Sequence, residues 1–284
     1  MAAPASPFRR IILGVDPTSP DGGMRLAAEV ARLLQLDLLG LFIKDTNLFD
    51  LAGLPFAREF RPYGGGWHSI DLEQISRDLD LAARTAERLF TDAARRSSVA
   101  GQFEVVRGSA ADTLASRSRQ GDIVLVVEPS SPSHHAIRHL SEVTRAALRP
   151  EAAVLMAPTQ MVDLQRAVVA IAAGPGDPSI AMGLVLSQMT KGDLTVVEAV
   201  DRGASEARSV PASHAAERGA HRTVRRERLA DPAALRTELR DLARRFVVMT
   251  RGAFDESVPR SIVSALDAPV LLVEPRPGEP VSEP

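Results

Sequence analysis

Residues 9–43 and 166–200 carry one pattern written twice, and no other feature limits the fold of this chain so strongly. The first copy reads RRIILGVDPTSPDGGMRLAAEVARLLQLDLLGLFI and the second RAVVAIAAGPGDPSIAMGLVLSQMTKGDLTVVEAV, aligned without a gap. Each is an apolar, β-rich run, a turn of Gly, Pro, Asp and Ser, a helical stretch, and a second apolar run opening at Asp37 or Asp193. Short continuous apolar runs suit strands buried on both faces, as in a parallel sheet.

The ends of the two halves also match. Asp122–Val127 leads through a helical stretch to Ala152–Ala157; Arg245–Met249 leads through a shorter connection to Ala268–Val273. Between these lie a strand and a helix in each half, at Gln102–Arg107 with Ser109–Arg117 and at Arg222–Leu229 with Pro232–Ala243. Strands alternating with helices imply right-handed βαβ crossovers. The predicted fold class is therefore α/β: two tandem, doubly wound, Rossmann-like parallel sheets of five strands, each in the order 3-2-1-4-5 and related by a pseudo-twofold axis. The predicted domains are 1–160, with an aromatic insertion at 47–67, and a shorter 161–275, followed by a disordered tail at 276–284.

The middles differ. The first half has a long helical stretch over about 69–97, with Leu72, Ile75, Leu79, Ala82, Ala86 and Leu89 forming one apolar stripe. The second has Asp201–Gly219, almost devoid of large apolar residues and read as a loop or weak helix.

Composition narrows the function. The 34 basic and 36 acidic side chains leave a formal charge of −2, which gives no pull toward nucleic acid or an anionic membrane. Cysteine is absent, which excludes disulfides, thiolate catalysis and Cys-ligated metal. Met1–Arg10 lacks the apolar centre of a signal peptide and no run approaches a membrane span, so a cytoplasmic protein is expected.

The order of these pieces resembles the universal stress protein family over nearly the whole chain. In that family the first strand ends in a hydrophobic run and Asp, as Ile11–Asp16 does, and the last strand carries a Pro-Val-Leu-Val type sequence, as Pro269–Val273 does. The family's nucleotide loop has the form G-x2-G-x9-G-[S/T]. Its glycines let backbone amides approach phosphates, and the helix that follows supplies partial positive charge. Here the glycine positions fall on Glu128, Ser131 and Ser141, and Glu142 stands where Ser or Thr would be. Two carboxylates beside a triphosphate repel it. In the second half Ala173 replaces the family's Asp, and the connection before Pro269 is too short for the motif, although Gly252 lies in the matching loop.

The resemblance thus implies a non-catalytic binding or regulatory protein of the stress-response type that does not hold ATP and is not an enzyme, its two domains paired as an internal pseudo-dimer. If a ligand is held, Asp16, Ile43, Val127, Glu128, Ser131, Ser141 and Glu142 are the implied contacts, with an adenine nucleotide as the alternative cofactor. Asp16 reads equally well as a turn or capping residue before Pro17. A homodimer or an unidentified protein partner completes the set of partners.

Residues 47–67 hold Phe49, Phe56, Phe60, Tyr63 and Trp67, five of the chain's eleven aromatics. They follow the second predicted strand and so emerge at the carboxyl edge of the sheet, where ligands bind in doubly wound folds. They read as a lid or partner surface, or else as a satellite core over the sheet edge. His135 and His139 share a face at chelating spacing if their segment is helical, but no third ligand accompanies them, and a solvated face is the simpler account. The Arg-rich run from Arg218 to Arg228 reads as an edge strand kept soluble by charge, and Gly174–Gly176 as a turn too short to cradle phosphate.

Overall fold

The computed structural model describes residues 7–15, 21–61, 66–128, 152–158, 165–199, 222–227, 240–255 and 257–274. Strands β1 (Arg10–Val15), β2 (Asp37–Asp45), β5 (Gly101–Gly108), β6 (Asp122–Glu128) and β7 (Ala153–Pro158) come from the first half. Strands β8 (Gln165–Ala172), β9 (Leu194–Ala199), β10 (Arg222–Glu227), β11 (Arg245–Thr250) and β12 (Val270–Val273) come from the second. A short hairpin, β3 (Arg58–Arg61) with β4 (Gly66–Ser69), stands apart.

The other ten strands form one sheet in the order β10-β9-β8-β11-β12-β7-β6-β1-β2-β5. Within each half this is the expected order 3-2-1-4-5, parallel throughout. The expectation of two separate sheets is corrected, because the fifth strands β7 and β12 pair antiparallel and fuse the halves edge to edge. An unpaired buried edge would leave a row of backbone donors and acceptors without partners, and the pairing removes both edges at once. The register sets Leu155 opposite Leu271, with Val154 opposite Leu272 and Met156 opposite Val270. Aligned on their shared Val-Leu, the two strands therefore pair symmetrically about the two leucines. One further consequence is directional: the carboxyl edges of the two halves open on opposite sides of the sheet.

Alternation along each strand explains the continuous apolar runs. Leu13, Val15, Leu38, Phe42, Val168, Ala170, Phe246 and Val248 feed one core. Their neighbours Ile12, Leu39, Leu41, Val169, Ile171, Val247 and Met249 feed the other. Helices α1 (Asp21–Leu34), α3 (Leu72–Arg96) and α5 (Pro178–Thr190) cover the first face. Helices α4 (Ala110–Arg117) and α6 (Ser257–Leu266), with a 3₁₀ turn at Arg240–Leu242, cover the second. Among the described residues the remaining short helix is α2 (Thr46–Ala52).

Helix α3 matches the long helix expected over 69–97, opened by Asp71, whose carboxylate accepts from the backbone N–H groups of Glu73 and Gln74. Of the expected stripe, Leu79 and Ala86 are buried and Ile75, Ala82 and Leu89 pack half-buried against the same core, with Ala83, Phe90 and Ala93 beside them; Leu72 alone is exposed. Gly40 on β2 makes room for Phe90 on this face. A Cβ there would come within 2.7 Å of the Phe90 ring and 2.6 Å of Phe103, so the missing side chain makes the seat for this aromatic pair, whose ring centroids are 5.4 Å apart. The α3 stripe packs on this chain's own sheet.

At the amino edge of the first half, the fully buried Asp122 carboxylate accepts from Arg9 Nε at 2.8 Å, Arg10 Nη2 at 2.9 Å and the Arg119 backbone N–H at 2.9 Å. Burial alone would raise its pKa. The hydrogen bonds from Arg9, Arg10 and Arg119 outweigh that, and the carboxyl sits below the usual range. The Arg222–Glu227 strand lies at the sheet edge, as expected of that Arg-rich run. Asp201–Gly219, the helix expected at 232–243 apart from its last residues, and the tail at 276–284 lie outside the described residues.

Candidate functional site

In an open α/β sheet the crevice forms at the carboxyl edge where the strand order reverses. In the first half that point lies between β1 and β6, and in the second between β8 and β11.

At the second-half switch point the protein's own groups hydrogen-bond one another. Gly174–Gly176 forms the expected turn, and Asp177 follows it as the N-cap of α5, with Pro178 at the first helical position. The Asp177 carboxylate accepts from Ser179 N–H at 2.9 Å and from Ala173 N–H at 2.8 Å, and it takes a short hydrogen bond from the Thr250 hydroxyl at the end of β11. Ser179 N–H is shared with Thr250 Oγ1 at 3.2 Å, and Ser179 Oγ donates to the Ile171 carbonyl at 3.1 Å. The residue where the resemblance expects Asp is thus Ala173, whose backbone donor is already engaged. Beside this network Arg251 pairs with Glu274 and donates to the Ala152 carbonyl at 2.6 Å, tying the end of β12 to the start of β7. Burial lowers the guanidinium's pKa, against the pull of Glu274.

The first-half edge is built differently. Lys44, near the end of β2, pairs at 2.5 Å with Asp80 on α3, and that hydrogen bond holds the Asp80 carboxyl below its ordinary value. Arg107 lies beside Lys44 in the β2–β5 register, and its guanidinium sits 4.5 Å from the centre of the Phe49 ring. Of the implied ligand contacts, Ile43 is half-buried at the end of β2 against the α4–α6 core. Val127 is half-buried at the end of β6, near Gly23 of α1. Glu128 ends β6 opposite Pro158. Asp16, Ser131, Ser141 and Glu142 lie outside the described residues, as do His135 and His139. Among the described residues no group of three His, Cys, Asp or Glu could hold a metal ion. No helix there is long and apolar enough to cross a membrane.

The aromatic segment is not a plain loop. Asp45 caps α2 through the Asn47 N–H, and the chain then turns into the β3–β4 hairpin, where Phe60 stands opposite Trp67. Phe49 is half-buried against the sheet, whereas Phe56 is 75% and Trp67 65% exposed. Tyr63 lies outside the described residues. Of the nine large apolar side chains exposed on the described surface, six fall between Leu48 and Leu72. The exposure is therefore a feature of this segment and not the ordinary scatter of surface leucines.

Sequence reasoning missed Asp177, Thr250 and Arg251. Asp-Pro before an apolar helix is a legible capping signal, but its partner Thr250 is 73 residues away.

No family model and no curated relative matches the sequence. Solved structures do. A universal stress protein from Archaeoglobus fulgidus is similar with a TM-score of 0.65 at 12% identity, over 95% of this chain and 97% of its own. A functionally unknown protein from Pseudomonas aeruginosa follows at TM-score 0.51 and 14% identity, over 94% of this chain and 93% of its own. A second protein of that species, provisionally assigned to the universal stress proteins, matches at 0.51 and 15%, over 94% of both chains. The chain has the universal stress protein fold.

Proposed function

We propose that this chain is a non-catalytic binding or regulatory protein of the stress-response type, its halves 1–160 and 161–275 paired as an internal pseudo-dimer in the cytoplasm. The observation that carries the proposal is the hydrogen-bond network at the second-half switch point, where Asp177, Ser179 and Thr250 satisfy one another. A triphosphate placed there would have to break hydrogen bonds that the fold already makes, against a carboxylate of the same charge. In the first half Glu128 and Glu142 stand where the resemblance expects a glycine and a hydroxyl. The second half then serves as the structural partner, and the first presents the working surface on α2 and the hairpin.

Calorimetry with ATP and magnesium tests this reading. No saturable binding is expected up to about 1 mM, a free energy weaker than about −4 kcal/mol. Micromolar binding would overturn it.

One observation favours a nucleotide-binding rival that uses Asp16 and the Glu128–Ser141 loop. Among the described residues a side chain added at Gly14, near the end of β1, would meet nothing within 4 Å, as is also true at Gly174 and Gly176 in the second half. Under the leading reading the combined replacement Glu128→Gly, Ser131→Gly, Ser141→Gly and Glu142→Ser creates nucleotide affinity that the natural chain lacks.

A further inference from the structure

We propose that β5, the outer strand of the first half, pairs antiparallel with β5 of a second copy, so that two chains join their sheets edge to edge about a twofold axis. This edge lies beyond β2, away from both switch points and from the seam between the halves.

The backbone dictates what the edge can take. β5 is paired with β2 along its whole length, Gly101–Gly108 against Leu38–Asp45, with no register shift. The Leu38 N–H donates to the Ala100 carbonyl at 2.8 Å. Alternate residues of a parallel strand serve one neighbour, so Gln102, Glu104 and Val106 face β2. Gly101, Phe103, Val105 and Arg107 therefore turn both N–H and C=O outward, and among the described residues no backbone group pairs with them. The complement of such a row is another extended strand.

The usual guards of an open edge are missing from β5. It holds no lysine, no proline and no bulge. Its two charges are held on the faces of the sheet, Glu104 by Arg117 of α4 at 2.7 Å and Arg107 against the Phe49 ring. Between them Val105 is 47% exposed. The opposite edge is different, because β10 reads RTVRRE, with four charged residues in six. The chain already joins two of its own strand edges by antiparallel pairing, at β7 and β12.

Self-complementarity selects a second copy as the occupant. With Val105 on the twofold axis, Val105 meets Val105 and the outward groups of Phe103 meet those of Arg107 twice over. Glu104 then stands opposite Val106 and Gln102 opposite Gly108, so no like charges face each other. Pairing of β5 with β10 would instead be head to tail, leaving an open edge on every copy and growing into filaments.

Because the chain has no cysteine, one can be placed at the axis. Residues directly opposite in such a pair lie about 5.5 Å apart at Cα, within disulfide range. Full-length Val105→Cys is expected to form a covalent dimer under dilute copper–phenanthroline. Gln102→Cys should stay uncrosslinked, because its two copies stand roughly 20 Å apart in this register. On sedimentation the natural chain should be dimeric at about 100 µM and dissociate on dilution. Val105→Lys sets like charges on the axis and should weaken association at least about tenfold, with an unchanged circular dichroism spectrum. An equimolar mixture of Val105→Lys and Val105→Glu should recover mixed dimers. Val105→Pro removes an outward donor that β2 does not use, so it should fold and yet fail to dimerise.

A natural chain that stays monomeric at the highest of these concentrations overturns the proposal. So does a dimer that survives both Val105→Lys and Val105→Pro, which would place the interface elsewhere. Equal crosslinking at positions 102 and 105, or growth beyond the dimer, contradicts the twofold register.

Discussion

Removing the Asp177 carboxylate is the sharpest test of the second-half network. In Asp177→Ala, α5 loses its cap contact to Ser179 N–H, which is worth about 1 kcal/mol. Thr250 is only 6% exposed, so its hydroxyl is left buried without the charged acceptor it now has, at about 1–2 kcal/mol. The Ala173 N–H adds little, because Ala173 is exposed and water can replace the acceptor. The expected loss is therefore about 2–3 kcal/mol, read as a lower urea midpoint by far-ultraviolet circular dichroism with an unchanged slope. Thr250→Val alone should cost about 1 kcal/mol, and the double variant should fall short of additivity by a similar amount, because each single change already breaks the shared bond. Asp177→Asn keeps an acceptor and should lose about half as much as the alanine variant. A loss under about 0.5 kcal/mol for Asp177→Ala, or strict additivity with Thr250→Val, would refute the reasoning.

Other consequences follow from the same geometry. Because β7 and β12 share one ladder, unfolding should occur in a single calorimetric transition, and two well-separated transitions would contradict the fused sheet. Asp122 has a lowered pKa in the folded protein, so its stabilisation is present above the unfolded carboxyl value near ~3.9 and is lost as pH falls through the folded value. Asp122→Asn should accordingly be less stable at neutral pH and show a shallower loss of stability below about pH 4, measured by urea titration across pH. Gly40→Val drives its side chain into Phe90 and Phe103 and should cost at least about 1–3 kcal/mol, whereas Trp67→Ala should stay within about 0.5 kcal/mol of the natural chain. Unliganded Trp67 should emit as a water-exposed indole and be quenched freely by acrylamide; a protected, blue-shifted emission would show the cap already covered.

The parallel strands were legible because both faces of the sheet are buried, which writes Ile11–Leu13, Val168–Ile171 and Phe246–Met249 as unbroken apolar runs. The order within each half came from the doubly wound pattern that the two βα-rich halves resemble. The fusion of the halves was not legible, since Val154-Leu155 and Val270-Leu271 read as any buried strand and name no neighbour. The burial of Phe90 on α3 was not legible, because its seat depends on Gly40, a tertiary fact about a strand some fifty residues away in sequence. Helix α2 spans seven residues, too few for a periodic signal, and the hairpin was hidden by the glycines and aromatics that mark loops as readily as turns. At the site, composition found the aromatic segment, but not that Phe49 turns inward while Phe56 and Trp67 face out. The network at the second switch point required Asp177 and Thr250 to meet across β8 and β11, and only the folded sheet brings them together.

The claim that this fold is used without a nucleotide is tested most directly by what the protein carries from the cell. Protein purified rapidly without added ligand, precipitated with acid and assayed by anion-exchange chromatography of the supernatant should release no adenine nucleotide above the level of a blank. Release approaching one nucleotide per chain would contradict the account and move the function to the first-half crevice beside Gly14 and Val127.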